Sequence, residues 1–372
     1  MKQSLDDSQI QKINDKITDR HNVFYWQTDR AITPQEAGAI WADRHSYFSD
    51  QDIIEAVNAE LADDKLVSLE PLDTEAQTSL GNINSVRVGA LASGKGVVIR
   101  CHPRGVRNGY FYVEALVAQK ALDIGLPAYR TLAIHDMQSA DDFSFQVCEK
   151  VEGVSMAFWV RDHAEDEAKL TFDIGVKMAR LHKIQVDGFG PFDNAKAKQG
   201  VLAGLHPTYA KAVRAGLAFN LEELVKREIL TQVQADAVDK LLQEDNPLLA
   251  CKQAVLIHND MADWNVVTNG KEIVGLLDWD ESVAGDPVTD IACWSTFFPP
   301  ERLNGMLKGY WSATEKPADF DEKFELLRLR YVISKMTLRT RRLEWSNDTE
   351  LQKRIEAGKV HLAASLAHFG IK

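Results

Sequence analysis

Between residues 65 and 150 the apolar positions alternate with polar ones or form short runs, a pattern that predicts β-strands. Three such runs are 66–69, 86–91 and 97–101, and the turn Ser93-Gly94-Lys95-Gly96 separates the last two. Two further strands are expected at 129–134 and 143–148. Residues 110–124 instead place their apolar side chains on one helical face. We therefore predict a small antiparallel sheet with one helix.

Beyond Gly153 the apolar spacing becomes mostly helical, and Leu170, Ile174, Met178 and Leu181 share one face. Further helices are expected within 221–242 and 322–369. The polar segment 1–62 also shows helical spacing, with helix starts predicted at Thr33 and Ser49. The fold class is thus α+β, with an N-terminal helical extension (1–62), a sheet-rich lobe (63–150) and a larger, mainly helical lobe (151–372).

Composition and charge narrow the functional classes. The 372 residues include 43 Lys and Arg against 55 Asp and Glu, a net charge of −12 that disfavours binding to phosphate backbones. No apolar run approaches the roughly 18–20 residues of a membrane span, the first residues are too polar for a secretory signal, and the four cysteines are widely spaced. We expect a cytoplasmic protein that binds neither nucleic acid nor membrane. These features do not define an oligomeric state.

One polar stretch, 255–291, interrupts the helical pattern and carries the candidate chemistry. A short apolar run ends at Ile257 and is followed directly by His258, Asn259 and Asp260, with Asn265 five residues further on. The pair Asn269-Gly270 between apolar runs predicts a hairpin turn with two positive φ angles. That hairpin would return Asp278 to the side of Asn265.

These residue types suit phosphoryl transfer. Asn265 and Asp278 offer the hard oxygen ligands that Mg²⁺ prefers when it also binds phosphate oxygens. Asp260 is placed near the metal but not on it, where it can orient a hydroxyl group and accept its proton. His258 is expected to brace the loop by hydrogen bonding.

The same stretch resembles known families. The spacing His-x-Asp-x-x-x-x-Asn, followed by a hairpin and an acid, resembles the catalytic and metal loops of kinases. Asp278-Trp279-Asp280 stands where protein kinases have Asp-Phe-Gly, and no Ala-Pro-Glu follows. Together with 285–287 and 290–292, this stretch instead resembles the aminoglycoside phosphotransferase family of small-molecule kinases. Segments 179–182 and 188–192 are similar to its hygromycin-phosphotransferase branch, and the resemblance spans about 65–300.

The resemblance implies a bilobal protein-kinase-like fold that uses ATP and Mg²⁺ to phosphorylate a hydroxyl of a small-molecule acceptor, with GTP as an alternative donor. In such a protein Asp260 is the catalytic base, and Asn265 and Asp278 bind the metal. The implied nucleotide-binding residues are Gly81 and Ser85 in a loop over the phosphates, Arg100 in place of the usual strand-three lysine, its partner Glu114, and Glu149 and Val151 in the hinge beside adenine.

Other interpretations remain open at this point. The acceptor can be an aminoglycoside, a macrolide, choline, homoserine or a sugar, because one fold serves many substrates. A protein kinase and an inactive nucleotide-binding module are the rival classes. Arg100 and Glu114 can form a plain surface ion pair. Asp280 can reach a second metal or face substrate, whereas Asp286 and Asp290 are expected to brace loops. His182 is expected to be structural, and an acceptor pocket is expected near Trp294, Trp311 and Trp345. Asp263 and Trp264 can touch substrate, with packing favoured for Trp264. Arg339, Arg341 and Arg342 are expected on a solvated face, with a contact to the catalytic lobe as the alternative.

Overall fold

The computed structural model describes residues 48–71, 84–104, 110–139, 141–344 and 349–372. The helix start predicted at Thr33, the phosphate-loop residue Gly81 and the pocket candidate Trp345 lie outside these ranges. Their predicted roles therefore stay predictions.

The first lobe is a five-stranded antiparallel sheet in the order β1-β2-β3-β5-β4. Its strands are β1 (Leu66–Pro71), β2 (Ser85–Leu91), β3 (Gly96–Cys101), β4 (Thr131–His135) and β5 (Phe145–Glu149). Each strand predicted from the alternating pattern is present, with ends that differ by up to two residues. The sheet-rich lobe is thus confirmed.

Two helices accompany this sheet. Helix α1 (Asp50–Glu60) begins at Ser49, whose side chain and that of Asp52 form a reciprocal capping box, which confirms the predicted start. It buries Ile53 and Val57 against the sheet, in one apolar cluster with strand residues. Helix α2 (Phe111–Asp123) crosses from β3 to β4 in the chain. The part of the predicted extension that the structure describes therefore packs on the sheet.

The second lobe is mainly helical. Its helices are α3 (Met156–Asp162), α4 (Glu167–Leu181), α5 (Asn194–Ala197), α6 (Tyr209–Arg214), α7 (Leu217–Lys226), α8 (Gln232–Leu241), α9 (Val288–Ser295), α10 (Pro300–Ala313), α11 (Phe320–Arg342) and α12 (Thr349–His368). Short strands form two small sheets, β7-β10-β13-β8-β9 and β12-β11-β6. They are β6 (Val154–Ser155), β7 (Gln185–Val186), β8 (Phe189–Phe192), β9 (Gly204–His206), β10 (Ala254–Ile257), β11 (Val266–Thr268), β12 (Ile273–Leu276) and β13 (Val283–Gly285).

Helix α2 joins the two lobes. Its buried residues Val113, Val117 and Ala121 belong to the same apolar cluster as Ile174 and Met178 of α4. Burial of such side chains is the main favourable contribution to holding the lobes together. The predicted α+β bilobal fold is confirmed, and none of the described helices is long and apolar enough to cross a membrane.

Candidate active site

The loop that carries Asp260 is held by one buried carboxylate. Asp290 in α9 accepts the backbone N–H groups of His258 at 2.9 Å and Asn259 at 2.6 Å. His182 Nε2 lies 3.0 Å from the same carboxylate. Burial raises the pKa of Asp290, but the contacts with His182 and His258 outweigh it and lower the pKa overall. Asp290 therefore braces the loop as an ionised acceptor, as expected. The contacts of His182 are structural, which also agrees with the expectation from the sequence.

The backbone of this loop is strained at one residue. Asn259 adopts a left-handed conformation with φ of 64°, which asparagine tolerates better than most residues. The His258 ring completes the turn: its Nε2 lies 3.0 Å from the Leu277 carbonyl, and its Nδ1 lies 3.3 Å from the Asp260 N–H. Since a carbonyl only accepts, Nε2 is the protonated nitrogen and Nδ1 accepts. Burial lowers the pKa of His258, so the ring braces the loop as a neutral group.

The structure brings Asp260, Asn265 and Asp278 together. The Asn265 amide donates to the Asp260 backbone carbonyl at 2.9 Å and to its carboxylate at 3.2 Å. The Leu277 N–H donates to the Asn265 carbonyl at 2.8 Å and places the next residue, Asp278, beside it. Asp278 has φ of 62° and a side chain that is 43% exposed. One amide and two carboxylates thus meet at the mouth of the helical lobe, as the spacing predicted.

The hairpin that returns Asp278 differs from the predicted one. Strand β11 pairs with β12 from Val266 to Thr268, which leaves the four-residue loop 269–272. Gly270 has a positive φ of 84°, but Asn269 does not. The Asn269 side chain instead accepts the N–H groups of Lys271 and Glu272, each at 3.0 Å. The prediction of two positive φ angles is wrong, because this side chain replaces a backbone turn.

Asp260 lies beside a buried ion pair. Lys335 of α11 binds Glu281 at 2.8 Å, and both side chains are almost fully buried. Burial, opposed by Lys335 and assisted by the charges of Glu281 and Asp278, raises the pKa of Asp260 to about 7. A carboxyl group poised near neutral pH is well matched to accepting a proton.

Arg100 of the sheet lobe faces the same site. It forms an ion pair with Glu114 of α2, whose side chain is fully buried. It also reaches Gln146 Oε1 and Asp278 Oδ1, each at 3.3 Å. Burial makes the largest contribution to the pKa of Arg100 and lowers it, but Glu114 and other acidic groups raise it overall. The pair is therefore not the plain surface ion pair considered above, and it links the two lobes at the predicted metal ligand.

The other predicted nucleotide contacts lie on the sheet lobe and its hinge. Ser85 is buried at the start of β2, where its hydroxyl accepts from Arg87 at 3.1 Å. Glu149 ends β5, and its carboxylate pairs with Lys95. Val151 packs closely on β12, since a side chain at Gly275 would meet it at 2.7 Å. The Ser85 and Glu149 side chains are thus engaged within this lobe.

Several other acidic residues have structural contacts. Asp286 accepts the Val288 N–H at 3.0 Å and binds Lys323 at the same distance, in line with its predicted bracing role. Burial and the charge of Asp278 raise the pKa of Asp280 well above its usual value. Asp263 is tied to Arg302 at 2.8 Å. Asp280 is thus the member of this group that shares the electrostatic environment of Asp278.

Sequence reasoning missed the contribution of α11. The sequence pattern gives Lys335 no role and favours a solvated face at Arg339, yet Lys335 is buried and Arg339 is half-buried. Tyr331, one helical turn before Lys335, lines a cavity of about 120 Å³ that Asn259 also lines. Trp294, a pocket candidate, is fully buried in the core. The charges on α11 follow no motif, so only the tertiary packing reveals them.

Comparison with known proteins identifies the family. The phosphotransferase enzyme family matches residues 76–329, and no curated protein matches the chain. A thermostable mutant of aminoglycoside phosphotransferase APH(4)-Ia is similar with a TM-score of 0.59 and 19% identity over 86% of this chain and 99% of that chain. A ternary complex of such a mutant with AMP-PNP and hygromycin B is similar with a TM-score of 0.57 and 20% identity, over 83% of this chain and 98% of that chain. The gentamicin–APH(2")-IIa complex is similar with a TM-score of 0.53 and 15% identity, over 85% of this chain and 96% of that chain.

The structural similarities establish the fold, and the family match establishes the class. It covers 254 of the 372 residues and includes strands β2 to β5 of the sheet lobe, the loop with Asp260 and the hairpin with Asp278. The chain therefore belongs to the phosphotransferase enzyme family and is a small-molecule phosphotransferase with an alcohol group as acceptor.

Proposed function

We propose that the protein transfers the γ-phosphoryl group of ATP to a hydroxyl group of a small molecule. The observation that carries this proposal is the convergence of Asp260, Asn265 and Asp278 with the Arg100–Glu114 pair at the junction of the lobes. Phosphoryl transfer needs an oriented nucleophile and a neutralised phosphate rather than covalent catalysis by the protein. The nucleotide is supported by the related APH(4)-Ia structures, which hold AMP-PNP or ADP.

The donor set suits Mg²⁺. The Asn265 Nδ2 is directed to Asp260, so the opposite side of the amide, its oxygen, is directed away from that residue. Asp278 contributes an exposed carboxylate. Two hard oxygen ligands with room for water and phosphate oxygens are typical of magnesium in such sites. Asn265 and Asp278 would hold the ion, which supplies charge neutralisation at the phosphates when bound.

Other residues of the chain position the acceptor and the nucleotide. Asp260 orients the acceptor hydroxyl and takes its proton, since its carboxyl group has a pKa of about 7. Arg100, fixed by Glu114, presents a guanidinium fork that suits phosphate oxygens. Glu149 and Val151 are proposed to flank the adenine through backbone groups, and Gly81 and Ser85 to cover the phosphates. These four placements follow the family resemblance.

A coupled ADP-release assay tests the proposal. Wild-type protein with ATP and Mg²⁺ is expected to turn over one member of a panel containing hygromycin B, kanamycin, a macrolide, choline and homoserine, or to show slow hydrolysis by water. Asp278→Asn should lower either rate by about 10³-fold and weaken binding of the magnesium nucleotide, because it removes a metal ligand. A rate that Asp278→Asn leaves unchanged contradicts the proposal. ATP binding without any turnover favours the inactive binding module.

A further inference from the structure

The side of Asp260 that faces α11 and α12 is rich in cations. Lys335 and Arg339 stand one helical turn apart on α11, and Arg354 projects from α12. Lys335 is neutralised by Glu281 at 2.8 Å. Arg339 differs, since no carboxylate of the described residues forms an ion pair with it. Its Nη1 donates to the Arg354 backbone carbonyl at 3.4 Å.

Arg339 is thus a desolvated cation beside a second cation. Burial makes the largest contribution to its pKa and lowers it, Arg354 lowers it further, and Tyr331 and Asp260 raise it. A half-buried charge without a counter-ion is costly to the fold, and a like-charged neighbour adds to that cost. An anion bound beside Arg339 would offset both penalties.

Aromatic side chains connect these cations to the loop with Asp260. The Arg354 guanidinium lies 5.6 Å from the centre of the Trp264 ring, and Trp264 lies between Asp260 and Asn265 in the chain. The ring centres of Trp264 and Phe297 are 5.1 Å apart, and those of Phe297 and Tyr331 are 6.4 Å apart. A guanidinium fork beside aromatic rings suits a carboxylate or phosphate attached to an apolar body.

Two acidic groups near these cations are already paired and do not favour a polycation on this side of the site. Glu281 is paired with Lys335, and Asp263 in the same loop is paired with Arg302 at 2.8 Å. Arg339 and Arg354 therefore make the α11 and α12 side of Asp260 locally cationic, although the chain as a whole carries a net charge of −12.

We propose that the acceptor is a hydroxylated small molecule with an anionic group, a carboxylate or a phosphate, and that Arg339, with Arg354 beside it, binds this group while Asp260 receives the hydroxyl. This inference rests on the proposed function, because it assigns a substrate class to the same site. It disfavours the polycationic aminoglycosides as acceptors of this protein.

The test uses three acceptor analogues that share one aromatic alcohol and differ in charge. They are 4-(hydroxymethyl)benzoate, 4-(hydroxymethyl)phenyl phosphate and 4-(hydroxymethyl)benzylamine. Each is titrated calorimetrically into the full chain with saturating Mg²⁺ and ADP, which occupy the nucleotide site. The proteins are the wild type, Arg339→Gln, Arg339→Lys and the control Arg341→Gln. Arg341 is on the opposite side of α11, with its guanidinium 4.9 Å from the Phe219 ring.

Wild-type protein is expected to bind one or both anions more tightly than the amine, and the preferred anion indicates whether the natural group is a carboxylate or a phosphate. Arg339→Gln should weaken anion binding at least about tenfold, as expected for loss of a charged hydrogen bond. Arg339→Lys should restore part of the affinity, and Arg341→Gln should leave it unchanged. Thermal unfolding of each variant shows whether it is folded. If Arg339→Gln does not fold, Arg354→Gln replaces it in the titrations.

Three results overturn the inference: tighter binding of the amine, anion binding that Arg339→Gln leaves unchanged, and absence of binding by both anions. None of these depends on turnover, so they are distinct from failure of the proposed function. Conversely, efficient phosphorylation of kanamycin would uphold the transfer reaction and refute the anionic acceptor.

Discussion

Each lobe faces the site with a cation paired to a buried glutamate, but the two pairs act differently. In the sheet lobe, Arg100 binds Glu114 and also contacts Asp278 Oδ1 at 3.3 Å. In the helical lobe, Lys335 binds Glu281 at 2.8 Å and acts on Asp260 through its charge. Arg100 thus contacts the carboxylate of Asp278 directly, whereas Lys335 changes the electrostatic environment of Asp260.

This difference matches the tasks of the two carboxylates. A metal ligand must be held in position, and a direct ion pair to Asp278 does so. A proton acceptor must change protonation state near neutral pH, and burial beside a balanced charge pair gives Asp260 a pKa of about 7. In the proposed reaction, proton transfer therefore depends on the helical lobe and phosphate placement on the sheet lobe.

Loss of Glu281 should have the largest effect on folding. Glu281→Ala leaves Lys335 buried without its counter-ion, so we expect a loss of about 3–5 kcal/mol in the free energy of unfolding. Urea denaturation measures it. The double variant Glu281→Leu with Lys335→Met should recover most of the loss, because it removes both charges. Glu356→Ala in an exposed pair with Lys359 is the control and should change little.

Loss of Lys335 should shift the pH dependence of turnover. Asp260 must be ionised to accept a proton, so the rate is expected to fall as pH drops through its pKa of about 7. Lys335→Met removes a charge that lowers this pKa, so the midpoint should move up by about one unit. A pH–rate profile measures it. Lys323→Met breaks another buried pair on α11 and should leave the midpoint unchanged; an equal shift in both variants contradicts the assignment.

The same pKa predicts how stability depends on pH. The folded-state pKa of Asp260 is raised above the ordinary value for aspartate, so the folded protein binds a proton that the unfolded chain has released. Its contribution to stability is present at low pH and is lost as pH rises through about 7. Asp260→Asn should therefore flatten the decrease in stability between pH 4 and pH 7, which denaturation at several pH values measures.

Replacement of Arg100 by lysine should have the smallest effect. The guanidinium reaches Glu114, Gln146 and Asp278 at once, and a lysine ammonium cannot reproduce this fork. We expect Arg100→Lys to raise the KM for ATP by about tenfold, since roughly 1.4 kcal/mol of charged hydrogen bonding is lost, with a smaller change in kcat. Steady-state kinetics with varied ATP measure it. An unchanged KM would remove Arg100 from nucleotide placement.

The two halves of the site also differ in how far the sequence predicts them. Asp260, Asn265 and Asp278 lie within one short stretch, where spacing and a hairpin suffice to bring them together. Arg100 and Glu114 required the resemblance to a family, because nothing in their spacing indicates a pair. Their burial, which excludes a surface ion pair, came only from the structure.

The contribution of α11 could not be predicted. Lys335 lies 54 residues beyond its partner Glu281, and a helix with frequent charges normally indicates a solvated face. The turn type predicted at Asn269 is wrong for a local reason, since the Asn269 side chain accepts two N–H groups and so stabilises a longer loop. Local spacing predicts motifs, whereas buried charges depend on which elements pack together.

The role of Asp260 is tested most directly by the rate of phosphoryl transfer from ATP in Asp260→Asn, measured beside the affinity of this variant for magnesium ADP. We expect kcat to fall by about 10²–10⁴-fold with unchanged nucleotide affinity, because Asp260 is proposed to contact the acceptor and not the nucleotide. Near-normal turnover in the variant would contradict the assignment of Asp260 as the proton acceptor.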